Sequence, residues 1–95
     1  MATVFIPAVL RPLVGGVSTV EASGDVLRDV LADLDRQHPG ILDRIVENGA
    51  FRPEVFVAIG SEEAFGLDAP VPAGAEVHIL PAIAGGSEGA ERKAG

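Results

Sequence analysis

At 95 residues, 47% of them apolar, the chain has room for one domain built on a single core, with a sheet packed against one helix as its natural limit. Fourteen acidic against seven basic residues leave a net charge of −7; such a surface repels phosphate backbones, so no nucleic acid is expected as a partner, whereas a basic docking surface would suit it. The absence of cysteine excludes disulfides and thiolate chemistry, and with no apolar run near the roughly 20 residues of a membrane span and no signal-peptide pattern, a soluble, cytoplasmic protein with no membrane partner is expected.

Thr3-Val4-Phe5-Ile6-Pro7-Ala8-Val9 reads as a first strand. With Val4 and Ile6 toward the core, alternation sends Phe5 to the other face. Arg11 to Gly16 reads as a reversal, since its two glycines permit positive φ. Val17 to Ala22 follows as the second strand of an antiparallel hairpin.

Ser23-Gly24-Asp25 precedes the strongest helical pattern, in which Leu27, Val30, Leu31 and Leu34 form one apolar stripe. Ser23 or Asp25 is the expected cap, because a short oxygen-bearing side chain accepts from a free first-turn amide. Arg28, Asp29, Asp33, Asp35 and Arg36 are expected on the solvated surface, and Pro39-Gly40 ends the helix.

Ile41, Leu42, Ile45 and Val46 predict a short helical turn that closes the core, broken by Asn48-Gly49. Glu54 to Ile59 reads as a strand with Val55, Val57 and Ile59 on one face and Phe56 and Ala58 on the other. Gly60 to Glu63 reads as a turn, and Ala64 to Ala75 as irregular chain punctuated by Pro70, Pro72 and Gly74. The last strand, Glu76 to Leu80, continues through Pro81-Ala82-Ile83-Ala84 into Gly85-Gly86. Residues 87–95, SEGAERKAG, contain no large apolar side chain and are expected to be a disordered extension of a domain spanning residues 1–86. The order of elements is α+β; periodicity alone does not fix the order of the strands in the sheet.

The side chains offer little chemistry of their own. His38 and His78 are well separated and form no metal site. Near the helix end, His38 suits a structural role beside exposed carbonyls. Glu62-Glu63 falls in a turn and Asp33 with Asp35 on a solvated helix face, so neither pair is placed for acid–base work. Gly15-Gly16 lacks the following Lys-Ser/Thr of a phosphate loop. Four scattered phenylalanines do not make a base-stacking platform.

The ending Val77-His78-Ile79-Leu80-Pro81-Ala82-Ile83-Ala84-Gly85-Gly86 resembles the final strand and tail of the MoaD/ThiS-type ubiquitin-like sulfur carriers. Ile6-Pro7-Ala8-Val9-Leu10-Arg11-Pro12 and Ala22-Ser23-Gly24-Asp25 are most similar to the carriers of the thiocarboxylate-dependent route to cysteine, and the resemblance covers residues 3–86. It implies a β-grasp fold: a mixed four- to five-stranded sheet with one main helix across one face, and the first and last strands as parallel neighbours in the middle. It also implies a protein co-substrate rather than an enzyme. An E1-like adenylyltransferase/sulfurtransferase would use ATP to adenylate Gly86, next to Gly85, and a sulfur donor would convert it to a thiocarboxylate. The carrier itself would bind no cofactor.

A narrow enzyme channel admits only a tail without bulky side chains. Ala82, Ala84, Gly85 and Gly86 supply that slimness, Pro81 limits the direction of exit, and Ile83 is the one candidate anchor. By the same resemblance, the sulfur acceptor would be an aminoacrylate on a pyridoxal phosphate-dependent, cysteine synthase-like enzyme. Phe5, Phe56, Ala58, His78, Leu80 and Ile83 are the expected partner-binding residues. The pattern departs from mature carriers in one respect: Gly86 is tied in a peptide bond to Ser87. Cleavage between Gly86 and Ser87, by a zinc protease of the JAMM type, is therefore expected; the other account of the nine residues is an artificial addition. Three other functions remain open on sequence: the small subunit of molybdopterin synthase, docking its tail into a large subunit; a protein modifier joined to lysines; and a non-covalent interaction domain.

Overall fold

The computed structural model describes residues 1–81. Strand β1 (Ala2–Phe5) pairs antiparallel with β2 (Thr19–Ala22), Val4 opposite Val20. Between them Ala8–Val14 is a 3₁₀ helix, so the expected strand through Val9 stops four residues short. Pro7 fixes its own φ at −67° and its carbonyl accepts the Leu10 N–H at 2.9 Å, which starts the helical turn. Leu10 and Val14 then drop into the core, four residues apart on one side, while Val17, expected in the second strand, stays outside it.

Helix α1 (Leu27–Gln37) buries the anticipated stripe of Leu27, Val30, Leu31 and Leu34. Each such side chain contributes about 1.5–3 kcal/mol by leaving water. Its capping differs from the expectation, because neither Ser23 nor Asp25 caps the first turn. The Leu27 and Arg28 N–H groups instead donate to the carbonyls of Ala69 and Leu67, at 2.9 and 2.8 Å. The loop expected to be merely irregular thus supplies acceptors for the orphan amides of the helix start. It also pairs Pro70 with Val26 and buries Val71. Gly24 lets β2 run close under the helix: a Cβ there would lie 2.6 Å from the Val30 nitrogen.

Asp33 corrects a second expectation. It is buried rather than solvated, and its carboxylate accepts the Ser23 N–H at 3.0 Å and Gln37 Nε2 at 3.1 Å, with Arg36 as its ion-pair partner. At the other end Asp35 Oδ1 accepts the N–H groups of Gly40 and Leu42, at 3.0 and 3.1 Å, and turns the chain after Pro39.

A short 3₁₀ turn at Leu42–Arg44 buries Ile41 and Ile45 on either side of it. Beyond it, β3 (Val46–Glu47) and β4 (Ala50–Phe51) form a small hairpin around Asn48-Gly49. Both turn residues have positive φ, 56° and 79°, the requirement of a two-residue hairpin loop. Strand β5 (Val55–Ile59) follows, then β6 (Glu62–Ala64), where a turn was expected through Glu63. Gly60 and Ser61 suffice for the reversal, so Glu62 and Glu63 pair with Ile59 and Ala58.

Strand β7 (Glu76–Pro81) completes the sheet, whose order is β2-β1-β7-β5-β6. It runs parallel to β1 and antiparallel to β5. First and last strands are therefore central neighbours, and α1 packs on one face: the α+β, β-grasp architecture. Val4, Val57, Val77 and Ile79 face the helix.

Candidate functional site

Among the described residues, the opposite face of the sheet carries no helix. Register places Phe5 beside His78, His78 beside Ala58, and Leu80 beside Phe56. Alternation along three adjacent strands thus brings the five described members of the expected partner-binding set onto one surface. The Phe5 and His78 rings stack with centroids 4.4 Å apart and planes 16° from parallel. Phe56 and Leu80, paired across β5 and β7, are each 47% exposed and form a contiguous apolar pair on this face.

Carboxylates fringe this patch. His78 Nε2 lies 3.3 Å from Glu76 Oε1, Thr3 Oγ1 donates to Glu21 Oε2 at 2.8 Å, and Glu63 sits opposite Ala58 on β6. The surface is an apolar centre within an acidic rim. Ile83, Gly85, Gly86 and Ser87 lie outside the described residues. What the fold does establish is the base of the tail. Pro81, paired with Val55, is the last described residue of a strand held by β1 at its start and by β5 along its length, so the position from which the tail begins is fixed.

Beside that point lies a groove of about 420 Å³, which the sequence did not reveal. Pro7, Val9, Leu10, Val55, Leu80 and Pro81 contribute its apolar surface, and Asp43, Arg44, Arg52 and Glu54 its charged rim. Arg52 Nε donates to Glu54 Oε2 at 2.8 Å. That hydrogen bond, with the adjacent guanidinium charge, holds the Glu54 carboxyl below the usual carboxylate range and raises Arg52. Arg52 also approaches Glu47 at 3.7 Å and donates to the Asp43 carbonyl at 3.3 Å. The groove joins four segments distant in sequence, and no single spacing announces it. Asn48-Gly49, the hairpin signal that brings Arg52 back toward Arg44, was the one available clue.

Among the described residues, no group of three or more His, Cys, Asp or Glu side chains is placed to hold a metal ion, and no helix is long and apolar enough to cross a membrane. His38 lies just past α1, its N–H donating to the Leu34 carbonyl at 2.9 Å.

The fold and the helix-free sheet face define a ubiquitin-like protein. Its sequence matches the ThiS family over residues 4–86, and the chain belongs to that family. It is 39% identical over 90 residues to the sulfur carrier protein CysO of Mycobacterium tuberculosis, covering 88% of this chain and 97% of that protein. A chain of the crystal structure of the Amycolatopsis orientalis BexX/CysO complex superposes with a TM-score of 0.85 at 35% identity, covering 90% of this chain and 99% of that one. The small archaeal modifier protein 1 of Haloferax volcanii gives 0.68 at 25% identity, covering 84% and 94%.

Proposed function

We propose that this chain is a sulfur carrier whose working group is the carboxyl of Gly86, released by cleavage of the Gly86–Ser87 bond. The observation that carries the reading is a family match running through residue 86 on a fold whose central strand delivers the chain to that tail. The 39% identity to proteins named sulfur carriers supports the same class and favours cysteine biosynthesis as the pathway served.

An E1-like partner binds ATP and activates the carboxylate as an acyl-adenylate, releasing pyrophosphate. Sulfide then adds to the acyl carbon, AMP departs as the leaving group, and a thiocarboxylate remains on Gly86. The thiocarboxylate, ionised at neutral pH and a better nucleophile than a carboxylate, attacks the electrophile of a cysteine synthase-like, pyridoxal phosphate-dependent partner. The carrier contributes binding and presentation. Its Phe5–His78–Leu80–Phe56 surface docks on the partners, and Gly85 with Gly86 lets the backbone approach the nucleotide closely. Catalysis belongs to the partners, including the JAMM-type protease that exposes Gly86. The setting is the cytoplasm.

Intact-mass measurement tests this. The chain ending at Gly86, incubated with its activating enzyme, ATP and a sulfur source, is expected to gain the mass difference of sulfur over oxygen. The chain that still carries Ser87–Gly95 is expected to gain nothing. Unchanged mass for the Gly86-ended form would overturn the reading. The likeness to an archaeal modifier protein favours a second use of the same activated glycine, attachment to lysines. Ladders of covalent adducts in extract, in place of thiocarboxylate, would support that use.

A further inference from the structure

Lys93 is the one lysine of the chain, and it lies beyond Gly86. Residues 1–86 therefore carry five arginines, Arg11, Arg28, Arg36, Arg44 and Arg52, with neither lysine nor cysteine. Lysine is among the commonest residues of soluble domains. The two side chains that capture acyl groups, as amides or as thioesters, are thus both missing from a chain that is proposed to carry an activated acyl group at its own end. A guanidinium does not replace them, because it stays protonated and offers no electron pair to a carbonyl carbon. An ordinary lysine amine is free in about one molecule in a thousand near neutral pH, which is enough to attack an activated acyl group.

Local geometry does not demand arginine at every one of these positions. Arg28 and Arg36 stand on the solvated side of α1, their side chains 55% and 72% exposed. Each meets its carboxylate, Asp68 or Asp33, through a single nitrogen. A lysine would serve there, since the two residues have similar helix propensity and a one-nitrogen contact does not use the guanidinium fork. Arg52 does use it, donating through Nε to Glu54 and through Nη1 to the Asp43 carbonyl. Arg44 and Arg52 also line the groove that holds Pro81, so two of the five basic side chains stand where the tail begins. An amine at that point would be tethered to Gly86 through the five residues after Pro81, at an effective concentration on the order of millimolar.

We propose that residues 1–86 are an acyl donor inert toward itself. With arginine at every basic position, the activated Gly86 carbonyl meets no thiol and no side-chain amine on its own chain or on another carrier. It is left for sulfide, or for an amine of a different protein. In the second case the nitrogen adds to the acyl carbon, the bond from that carbon to the AMP oxygen breaks, AMP leaves, and the ammonium proton passes to water. Each modified lysine then bears one carrier, and no carrier is built on a carrier. The proposal rests on the reading that Gly86 is the activated end, but the inert surface is read without any partner enzyme.

The test uses residues 1–86 with an acetylated N-terminus and an alkyl thioester at Gly86, which stands in for the adenylate. Intact mass and denaturing gels read the products. The parent is expected to acylate added Nα-acetyl-lysine and to form no bond to itself. Arg36→Lys is expected to give linked carriers at a rate that rises with protein concentration. Arg44→Lys is expected to close on itself with loss of the thiol, at a rate independent of concentration. At protein concentrations on the order of 10 μM that closure runs about a hundredfold faster than the coupling of Arg36→Lys. A parent that links to itself as fast as the variants would overturn the proposal. So would variants as unreactive as the parent while the added lysine is acylated. Sulfur loading of the Gly86-ended chain by the activating enzyme is read separately, by mass: loading of a chain whose thioester links to itself ends this proposal and keeps the carrier, whereas a self-inert chain that takes no sulfur keeps the inert surface and ends the carrier reading.

Discussion

The Asp33 carboxylate holds together two pieces of chain, the end of β2 and α1. It accepts from the Ser23 N–H at 3.0 Å and from Gln37 Nε2 at 3.1 Å, while the same Gln37 nitrogen donates to the Glu21 carbonyl at 2.8 Å. The end of β2 is thereby fixed to the middle of α1. Its position one residue before Leu34 explains the burial: the residue flanks the apolar stripe and leans on the strand end instead of water. Asp33→Ala leaves the Ser23 N–H and the Gln37 amide without their acceptor, and is expected to cost about 1–3 kcal/mol. Asp33→Asn keeps one oxygen acceptor and is expected to cost less. Urea unfolding of both variants checks the order, with an unchanged denaturant slope showing that stability alone has moved.

At the scale of elements, the tail's exit is framed by the β3–β4 hairpin through Arg52. Its hydrogen bond to Glu54 depresses the carboxyl in the folded state. A depressed folded value means that the pair's contribution is complete above the ordinary carboxylate range and is lost as pH falls through the lower folded value. The stability difference between the parent and Glu54→Gln is therefore expected to stay constant from neutral pH down to that range and to close in more acid solution. Thermal melts at successive pH values measure it; a gap that widened on acidification would contradict the assignment. Glu54 is exposed and Arg52 partly so, and solvent screening is expected to keep the difference at neutral pH small. The elements differ in how plainly the sequence announces them. Helix α1 was legible because four apolar residues recur at its period and Pro39-Gly40 closes it. The 3₁₀ helix was hidden because the apolar run Ile6-Pro7-Ala8-Val9 has the composition of a strand. Strands β3, β4 and β6 are two or three residues long, too short for alternation to register, and β6 carries only one apolar side chain. That Phe5, Phe56, Ala58, His78 and Leu80 share a face was legible because they alternate on strands of four to six residues. The groove was not, because it depends on how four separate segments meet.

For the whole molecule, charge and shape divide the work of meeting a partner. In the proposed docking mode, the apolar centre of Phe5, His78, Phe56 and Leu80 is the part that would stay buried in a complex and govern how long it lasts. Glu21, Glu63 and Glu76 lie around it on a chain of net charge −7, and charges at a rim act chiefly before contact, by steering a basic surface into place. Salt screens such steering within a Debye length of about 10 Å at 0.1 M, whereas the desolvated apolar contact is little affected. Association with the proposed activating enzyme is therefore expected to slow by about an order of magnitude between low and high salt, with a much smaller change in dissociation. Replacing Glu21 and Glu63 by Gln is expected to lower the low-salt rate and flatten the salt dependence. Phe56→Ala is expected instead to speed dissociation while leaving the salt slope intact. Stopped-flow or surface-binding kinetics separate the two effects, and an association rate indifferent to salt would confine the charge to a role in solubility.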